Sequence, residues 1–275
     1  MTGVSPEGML QKATALATGT FEAATIAGPA IGGLAYGISP GMAYVAIAVL
    51  WFLGGLLMGA IQLERPVAAE RPAPTPGAIF AGWTFVRRNP AILGAISLDL
   101  FTVLLGGATT LLPIYARDIL HTDAWGMGVL RAAPSVGALL MTAVLSRYTI
   151  QHKTGMRLFQ AIIVFGLATL VFGLSHLMWL SFLALAVAGA ADTISMVIRI
   201  ALVQLATPDD MRGRVGAVNF LFVNASYQLG GFESGVTASL VGAVPSVLIG
   251  GVGTIVVALI WMKLFPPLRE LDKLE

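Results

Sequence analysis

The stretch MAYVAIAVLWFLGGLLMGAIQL, residues 42–63, contains no charged side chain along its whole length. At about 1.5 Å per residue, a helix of this length crosses the roughly 30 Å hydrocarbon core of a bilayer. Seven other apolar stretches have comparable length, so the sequence predicts about eight transmembrane helices in an all-α polytopic membrane protein. The predicted spans are residues 13–36, 42–63, 90–116, 125–148, 158–174, 179–206, 215–241 and 246–265.

The composition supports this class and excludes several others. Apolar residues make up 57% of the chain and charged residues 11%, whereas a soluble domain carries about 25% charge. The chain has no cysteine, which excludes disulfides, zinc–thiolate sites and thiol catalysis. The net charge of +2 does not indicate nucleic-acid binding, because the basic residues lie at span ends and not on one polar face.

The positive charges alternate between the two sides of the predicted spans. Of the 16 Lys and Arg residues, all but Arg117, Arg131 and Arg199 lie in, or within three residues of, the N-terminal segment, every second connection or the C-terminal tail. Positive charge near spans is retained on the cytoplasmic side. The pattern therefore predicts that both termini are cytoplasmic.

The longest predicted connection divides the chain unevenly. Residues 64–77 contain four prolines, which favours an extended segment. Residues 78–88 place Trp83 and Phe85 beside two arginines, as in a helix at the membrane interface. We therefore predict two spans in residues 1–63, a cytoplasmic loop with an interfacial helix in 64–88, and a six-helix bundle in 89–275.

Two local motifs stand out, GPAIGG at residues 28–33 and LATPDDMRGRV at residues 205–215, and both are similar to motifs of the major facilitator superfamily. Residues 28–33 read GPAIGG and resemble the antiporter signature, through Gly28, Pro29, Gly32 and Gly33. Residues 205–215 read LATPDDMRGRV and resemble the loop between family spans ten and eleven in the drug and siderophore exporters. The matching loop residues are Pro208, Asp209, Arg212, Gly213 and Arg214.

This resemblance covers family spans five to twelve and implies a secondary active exporter in a bacterial inner membrane. It implies efflux of a small amphiphilic drug or siderophore in exchange for protons, by alternating access and without cofactor, metal or enzymatic chemistry. The partners would be lipid, solute and protons. Because the equivalents of family spans one to four are absent, the alternative is a truncated chain or a membrane subunit. Such a chain would have no transport activity alone, or would associate with itself or with the missing helices.

Ionisable residues inside predicted spans are the candidate functional groups, because a charge in the bilayer core is costly. Glu22 lies at mid-depth, where a low dielectric disfavours the ionised carboxylate. We predict that Glu22 couples transport to protons. The alternative is a hydrogen bond to a neighbouring helix. Polar residues on the later spans are predicted to line a substrate cavity or to tie helices together, with Asn219 beside them: Asp99, Asn224, Gln228 and Glu233.

Three further intramembrane charges, Arg131, Asp192 and Arg199, are candidates for ion pairs. Asp192 and Arg199 are seven residues apart and so share one helix face, about 10 Å apart along the axis. We expect Arg199 to pair with Asp99 or Asp192, and Arg131 to lie near the outer surface. No phosphate-binding Gly-Lys loop occurs, so an ion gradient is the predicted energy source.

Overall fold

The computed structural model describes residues 38–60, 76–148, 152–208 and 211–272, with isolated helical positions at residues 24, 28, 31, 32, 35 and 36. The described part of the chain is helical and contains no strand. Six helices within it are long and apolar enough to cross a membrane. The predicted all-α polytopic membrane fold is therefore confirmed.

Nine helices carry the argument below. They are α1 (Pro40–Ala60), α2 (Pro76–Arg88), α3 (Pro90–Leu105), α4 (Ala124–Arg147), α5 (Thr154–Leu174), α6 (Met178–Leu205), α7 (Arg212–Val241), α8 (Ala243–Leu264) and α9 (Pro266–Arg269). The start of α3 is fixed by Asn89, whose Oδ1 accepts a hydrogen bond from Ile92 N at 3.3 Å. Pro90 follows at the first helical position, where its missing N–H costs nothing.

The span count is close to the eight predicted but not identical. The first predicted span, residues 13–36, lies largely outside the described residues. The seventh predicted span forms the 30-residue helix α7, which is long enough to cross a bilayer but more polar than the six helices counted as apolar spans. Its polar side chains include Asn219, Gln228 and Glu233.

The third predicted span, residues 90–116, is interrupted rather than continuous. Helix α3 ends at Leu105, and a 3₁₀ helix (Gly107–Leu111), a short helical turn (Leu112–Ile114) and a π-helix (Tyr115–Ile119) follow. Pro113 explains part of this change, because it lacks the N–H that an α-helix would bond to residue 109. Tyr115 anchors the segment, since its hydroxyl donates to Gly173 O at 3.1 Å.

The chain divides into two compact units, Met1–Ala73 with Thr122–Ala132, and Pro74–His121 with Ala133–Glu275. In the first unit, helix α1 exposes large apolar side chains such as Trp51 and Leu57, as a lipid-facing helix does. Our sequence-based boundaries at residues 63 and 88 remain a prediction.

The second unit contains the main core, in which α5 packs against α6 and α8 while α7 packs against α2 and α3. A small-residue contact holds α7 close to the C-terminal end of α3. A Cβ on Gly230 would lie 2.8 Å from the carbonyl oxygens of Val103 and Leu104, so only glycine permits this approach. The main buried cluster comprises Ala95, Leu98, Leu158, Phe159, Ile162, Ile198, Leu202, Ala258 and Leu268.

At one side of this unit, helices α3, α5 and α7 begin and helices α6 and α8 terminate. The C-terminal segment closes onto it, because Asp272 Oδ1 accepts from Lys153 N at 2.8 Å and Asp272 O from Thr154 N at 3.1 Å. We call it the basic end, since its basic residues include Arg88, Lys153, Arg157, Arg212, Arg214 and Lys263.

Candidate functional site

A buried ion pair joins α3 to α6 in the second unit. Arg199 Nη1 contacts Asp99 Oδ2, and the two side chains are only 12% and 6% exposed. Arg199 Nε also donates to Ser195 O at 3.4 Å, one turn earlier on the same helix. Since a buried charge without its partner is strongly unfavourable, each of these residues requires the other.

The ion pair borders a small cavity between α3, α6 and α7. Its volume is about 160 Å³, whereas a drug-sized ligand occupies about 300–1,000 Å³. The cavity therefore accommodates water or a small polar group, not a whole amphiphilic solute. It is lined by Ala95, Ile96, Asp99, Asp192, Met196, Arg199, Ile200, Val203, Asn219, Val223 and Tyr227.

Helix periodicity explains which residues of α7 reach this cavity. Asn219, Val223 and Tyr227 are spaced four residues apart, so they form one stripe along the helix. Asn224 and Gln228 are each one residue further on, which turns them about 100° away from that stripe. The structure thus brings Asn219 and Tyr227 to the ion pair.

A second cavity of about 200 Å³ lies on the other side of Asp192 and Tyr227, which also line it. Its wall is rich in hydroxyl groups, from Thr102, Thr109 and Thr110 among others. Threonine hydroxyls can bond water or a polar solute as well as their own helix backbone. The two cavities together make the region around Asp192 the polar interior of this unit.

Other predicted cavity residues lie elsewhere on α7. The side chains of Asn224 and Gln228 are exposed, and Asn224 Nδ2 donates within its own helix to Phe220 O at 2.8 Å. Glu233 is half-buried, and its Oε1 accepts from Thr237 Oγ1 at 2.9 Å. Their predicted role in a substrate cavity remains a prediction.

The remaining predicted residues fall partly outside the described residues. Glu22, Pro29, Gly33 and Asp209 lie there, whereas Gly28 and Gly32 are described and helical. Arg131 belongs to the first compact unit, and its side chain is exposed.

The loop motif before α7 is partly described and structural in character. Arg212 Nε donates to the carbonyl oxygens of Gln204 and Thr207, both at 3.3 Å, and so satisfies acceptors at the end of α6. Pro208 O accepts from Met211 N at 2.9 Å, which turns the chain into α7. Gly213 has open space around it, with nothing within 4 Å of an added Cβ, and Arg214 Nη1 contacts Met211 Sδ at 3.5 Å.

Tyr227 is the site residue that sequence reasoning missed. Its hydroxyphenyl group was indistinguishable from that of a tyrosine facing lipid or the interface. The signal that could have revealed it is the spacing of eight residues from Asn219, two steps of four, which puts both on one face of the helix. Among the described residues, no group of three or more His, Asp or Glu side chains could hold a metal ion.

These features define a class: a multi-pass helical membrane protein with paired charges and small polar cavities inside its bundle, as in secondary transporters. The chain belongs to the transmembrane secretion effector family of the major facilitator superfamily, which matches residues 3–275. It is also 26% identical over 244 residues to the enterobactin exporter EntS of Citrobacter koseri. That similarity covers 85% of this chain but 58% of the relative, so the chain spans little more than half of that protein's length.

Proposed function

We propose that this chain is a secondary active exporter that exchanges protons for a small amphiphilic solute and has no enzymatic activity. The observation that carries the proposal is the buried Asp99–Arg199 pair beside a polar cavity in a family of secretion effectors. Fixed charges inside a bundle mark solute and ion pathways. The name of the relative suggests a siderophore as the solute.

The proposed mechanism is alternating access, in which packed helices move as rigid groups around a mid-membrane site. Both cavities beside Asp192 are too small for a siderophore, so we place solute binding outside them. Asn224, Gln228 and Glu233 are the proposed contacts, since they carry polar groups on other faces of α7. Glu22 is the proposed coupling carboxylate of the N-terminal part.

Transport into everted inner-membrane vesicles tests this function. Vesicles from cells that express the chain would be energised with a proton gradient and supplied with enterobactin or, separately, erythromycin. We expect uptake of at least one probe, loss of uptake with a protonophore, and loss in Glu22→Gln. Glu270→Gln is the matched control, because Glu270 is exposed and pairs only with neighbouring Arg269 among the described residues.

The alternative, a chain without transport activity alone, predicts a different result from the same vesicles. Neither probe would accumulate in them, although the protein is present in the membrane. Co-expression with a four-span N-terminal segment of a related exporter would then restore uptake.

We also propose that the basic end faces the cytoplasm, as retention of positive charge on that side requires. The chain has no cysteine, so single introduced cysteines report orientation directly. In intact cells, an impermeant maleimide should label His176→Cys, at the opposite end of the unit, but not Lys153→Cys at the basic end. Labelling of only the second variant would reverse the orientation.

A further inference from the structure

Asp192 occupies the middle of the membrane-spanning helix α6. At about 1.5 Å per residue, it lies roughly 20 Å from both Met178 and Leu205, the two ends of that helix. A carboxyl group at this depth is far from both aqueous surfaces. It is therefore retained at a considerable energetic cost, which suggests a function.

Three cavities lie in series along α6 and α7, and Asp192 lies where the second meets the third. The first, of about 620 Å³ at the basic end, is bordered by Gln204, Thr207 and Arg212. It shares Ile200, Val203 and Asn219 with the 160 Å³ cavity at the ion pair.

The second and third cavities meet at only two residues. The 160 Å³ and 200 Å³ cavities have Asp192 and Tyr227 in common. We call these two residues the partition. They lie between the cavities toward the basic end and the cavity beside the 3₁₀ helix Gly107–Leu111. A group in this partition can exchange a proton with water on either side.

The two acidic residues that line the 160 Å³ cavity, Asp99 and Asp192, differ in whether they form an ion pair. Asp99 is committed to Arg199 as its ion-pair partner. In the part of the chain that the structure describes, Asp192 has neither an ion pair nor a hydrogen bond to its carboxyl group. Only Asp192 is thus free to change its protonation state without breaking a buried ion pair.

Among the described residues, few charged or titratable groups lie around Asp192. Asp99 approaches from α3, Arg199 from α6 and Tyr227 from α7. The wall contributed by α4 and α5 consists of Pro134, Phe165 and Thr169, none of which titrates.

We propose that Asp192 is a second carboxyl group, besides Glu22, that binds and releases a proton during exchange, while the Asp99–Arg199 pair stays ionised. A proton from water in the 200 Å³ cavity adds to a carboxylate oxygen of Asp192, and the same proton later passes to water in the 160 Å³ cavity. The proposal rests on the proton-coupled export proposed above. It assigns to this unit a proton site separate from Glu22.

Carbodiimide modification of the purified full chain tests the site without requiring transport. Dicyclohexylcarbodiimide adds to protonated carboxyl groups in apolar surroundings, and mass spectrometry of peptides locates the adduct. We expect an adduct on Asp192 that decreases about tenfold per pH unit once this group ionises, and at least tenfold less adduct on Asp99. An adduct on Asp99 with none on Asp192 would overturn the assignment.

Vesicle transport of enterobactin, with Asp192→Asn beside wild type and the surface control Glu270→Gln, separates this proposal from the general function. We expect Asp192→Asn to lose gradient-driven uptake but to retain exchange of labelled for unlabelled probe without a gradient. Full gradient-driven uptake by Asp192→Asn would refute the inference. If wild type takes up no probe while Asp192 still shows pH-dependent modification, the proton site stands and the exporter function fails.

Discussion

Two sides of the second unit differ in how their helices are held together. On the packed side, α5 meets α8 through glycines: a Cβ on Gly166 would lie 3.0 Å from Gly251 O and 2.6 Å from Ile255 Cγ1. On the polar side, α3, α6 and α7 surround a cavity of about 160 Å³ at the ion pair between α3 and α6, and a second cavity of about 200 Å³ adjoins it. Helix α6 takes part in both.

The two sides differ in this way because the solvent around the helices is lipid. Lipid gives no hydrophobic drive for one apolar helix to join another, so close packing must supply the attraction on the packed side. The polar side retains free volume and uses opposite charges instead. It is therefore the side on which water can enter and charges can change partners.

The largest expected effect comes from breaking the ion pair. Arg199→Met leaves the Asp99 carboxylate buried without its partner, which should lower the free energy of unfolding by about 3–5 kcal/mol. Denaturant unfolding in detergent micelles measures this change. The double variant Asp99→Asn with Arg199→Met should recover most of the loss, because no charge then stays buried. A single variant as stable as wild type would show that the polar side does not depend on the pair.

A smaller effect is expected when the packed side is overfilled. Gly166→Leu forces α5 away from α8, and overpacking a close contact costs about 1–3 kcal/mol. Gly235→Leu on α7 is the matched control, because nothing lies within 4 Å of a Cβ at that position. We expect Gly166→Leu, but not the control, to lower the unfolding midpoint. Equal midpoints would contradict the close contact between the two helices.

A still smaller effect on stability is expected from a single hydrogen bond between α3 and α8. Trp261 Nε1 donates to Ser97 Oγ at 3.0 Å, and such bonds between membrane helices average about 0.6 kcal/mol. Trp261→Phe should lose about that much while keeping an aromatic ring near Phe101 and Phe265. A double-mutant cycle with Ser97→Ala isolates the bond. Additive single effects would mean that the bond contributes nothing.

Sequence reasoning predicted the features that composition and periodicity determine. The uncharged run at residues 42–63 identified α1, and the start of α3 followed from Asn89 and Pro90. It missed the break after Leu105, because apolar residues continue to Ile114 and hydropathy does not register the backbone change at Gly106 and Pro113. Helix α7 shows the same limit, since it ends where predicted but begins three residues earlier, at Arg212, and its polar character separates it from the apolar spans.

The candidate site was harder to predict, because it depends on which helices become neighbours. Either Asp99 or Asp192 satisfied the sequence argument for Arg199, and packing of α3 against α6 selects Asp99. Helical spacing led us to place Asn219, Asn224, Gln228 and Glu233 on one side of the seventh span, yet among them only Asn219 lines the cavity at the ion pair. Sequence cannot provide this orientation, since every face of that helix carries polar residues.

The smallest expected effect on stability is that of a substitution at Tyr227. This side chain is 60% exposed, and within the described residues its hydroxyl group makes no hydrogen bond. Tyr227→Phe should therefore change the free energy of unfolding by no more than about 0.5 kcal/mol, the usual range away from buried contacts. Thermal unfolding beside wild type checks this. A larger loss would place Tyr227 among the structural residues of the polar side. An unchanged stability would mean that any effect of the variant on proton exchange arises at the partition beside Asp192, where Tyr227 borders two cavities.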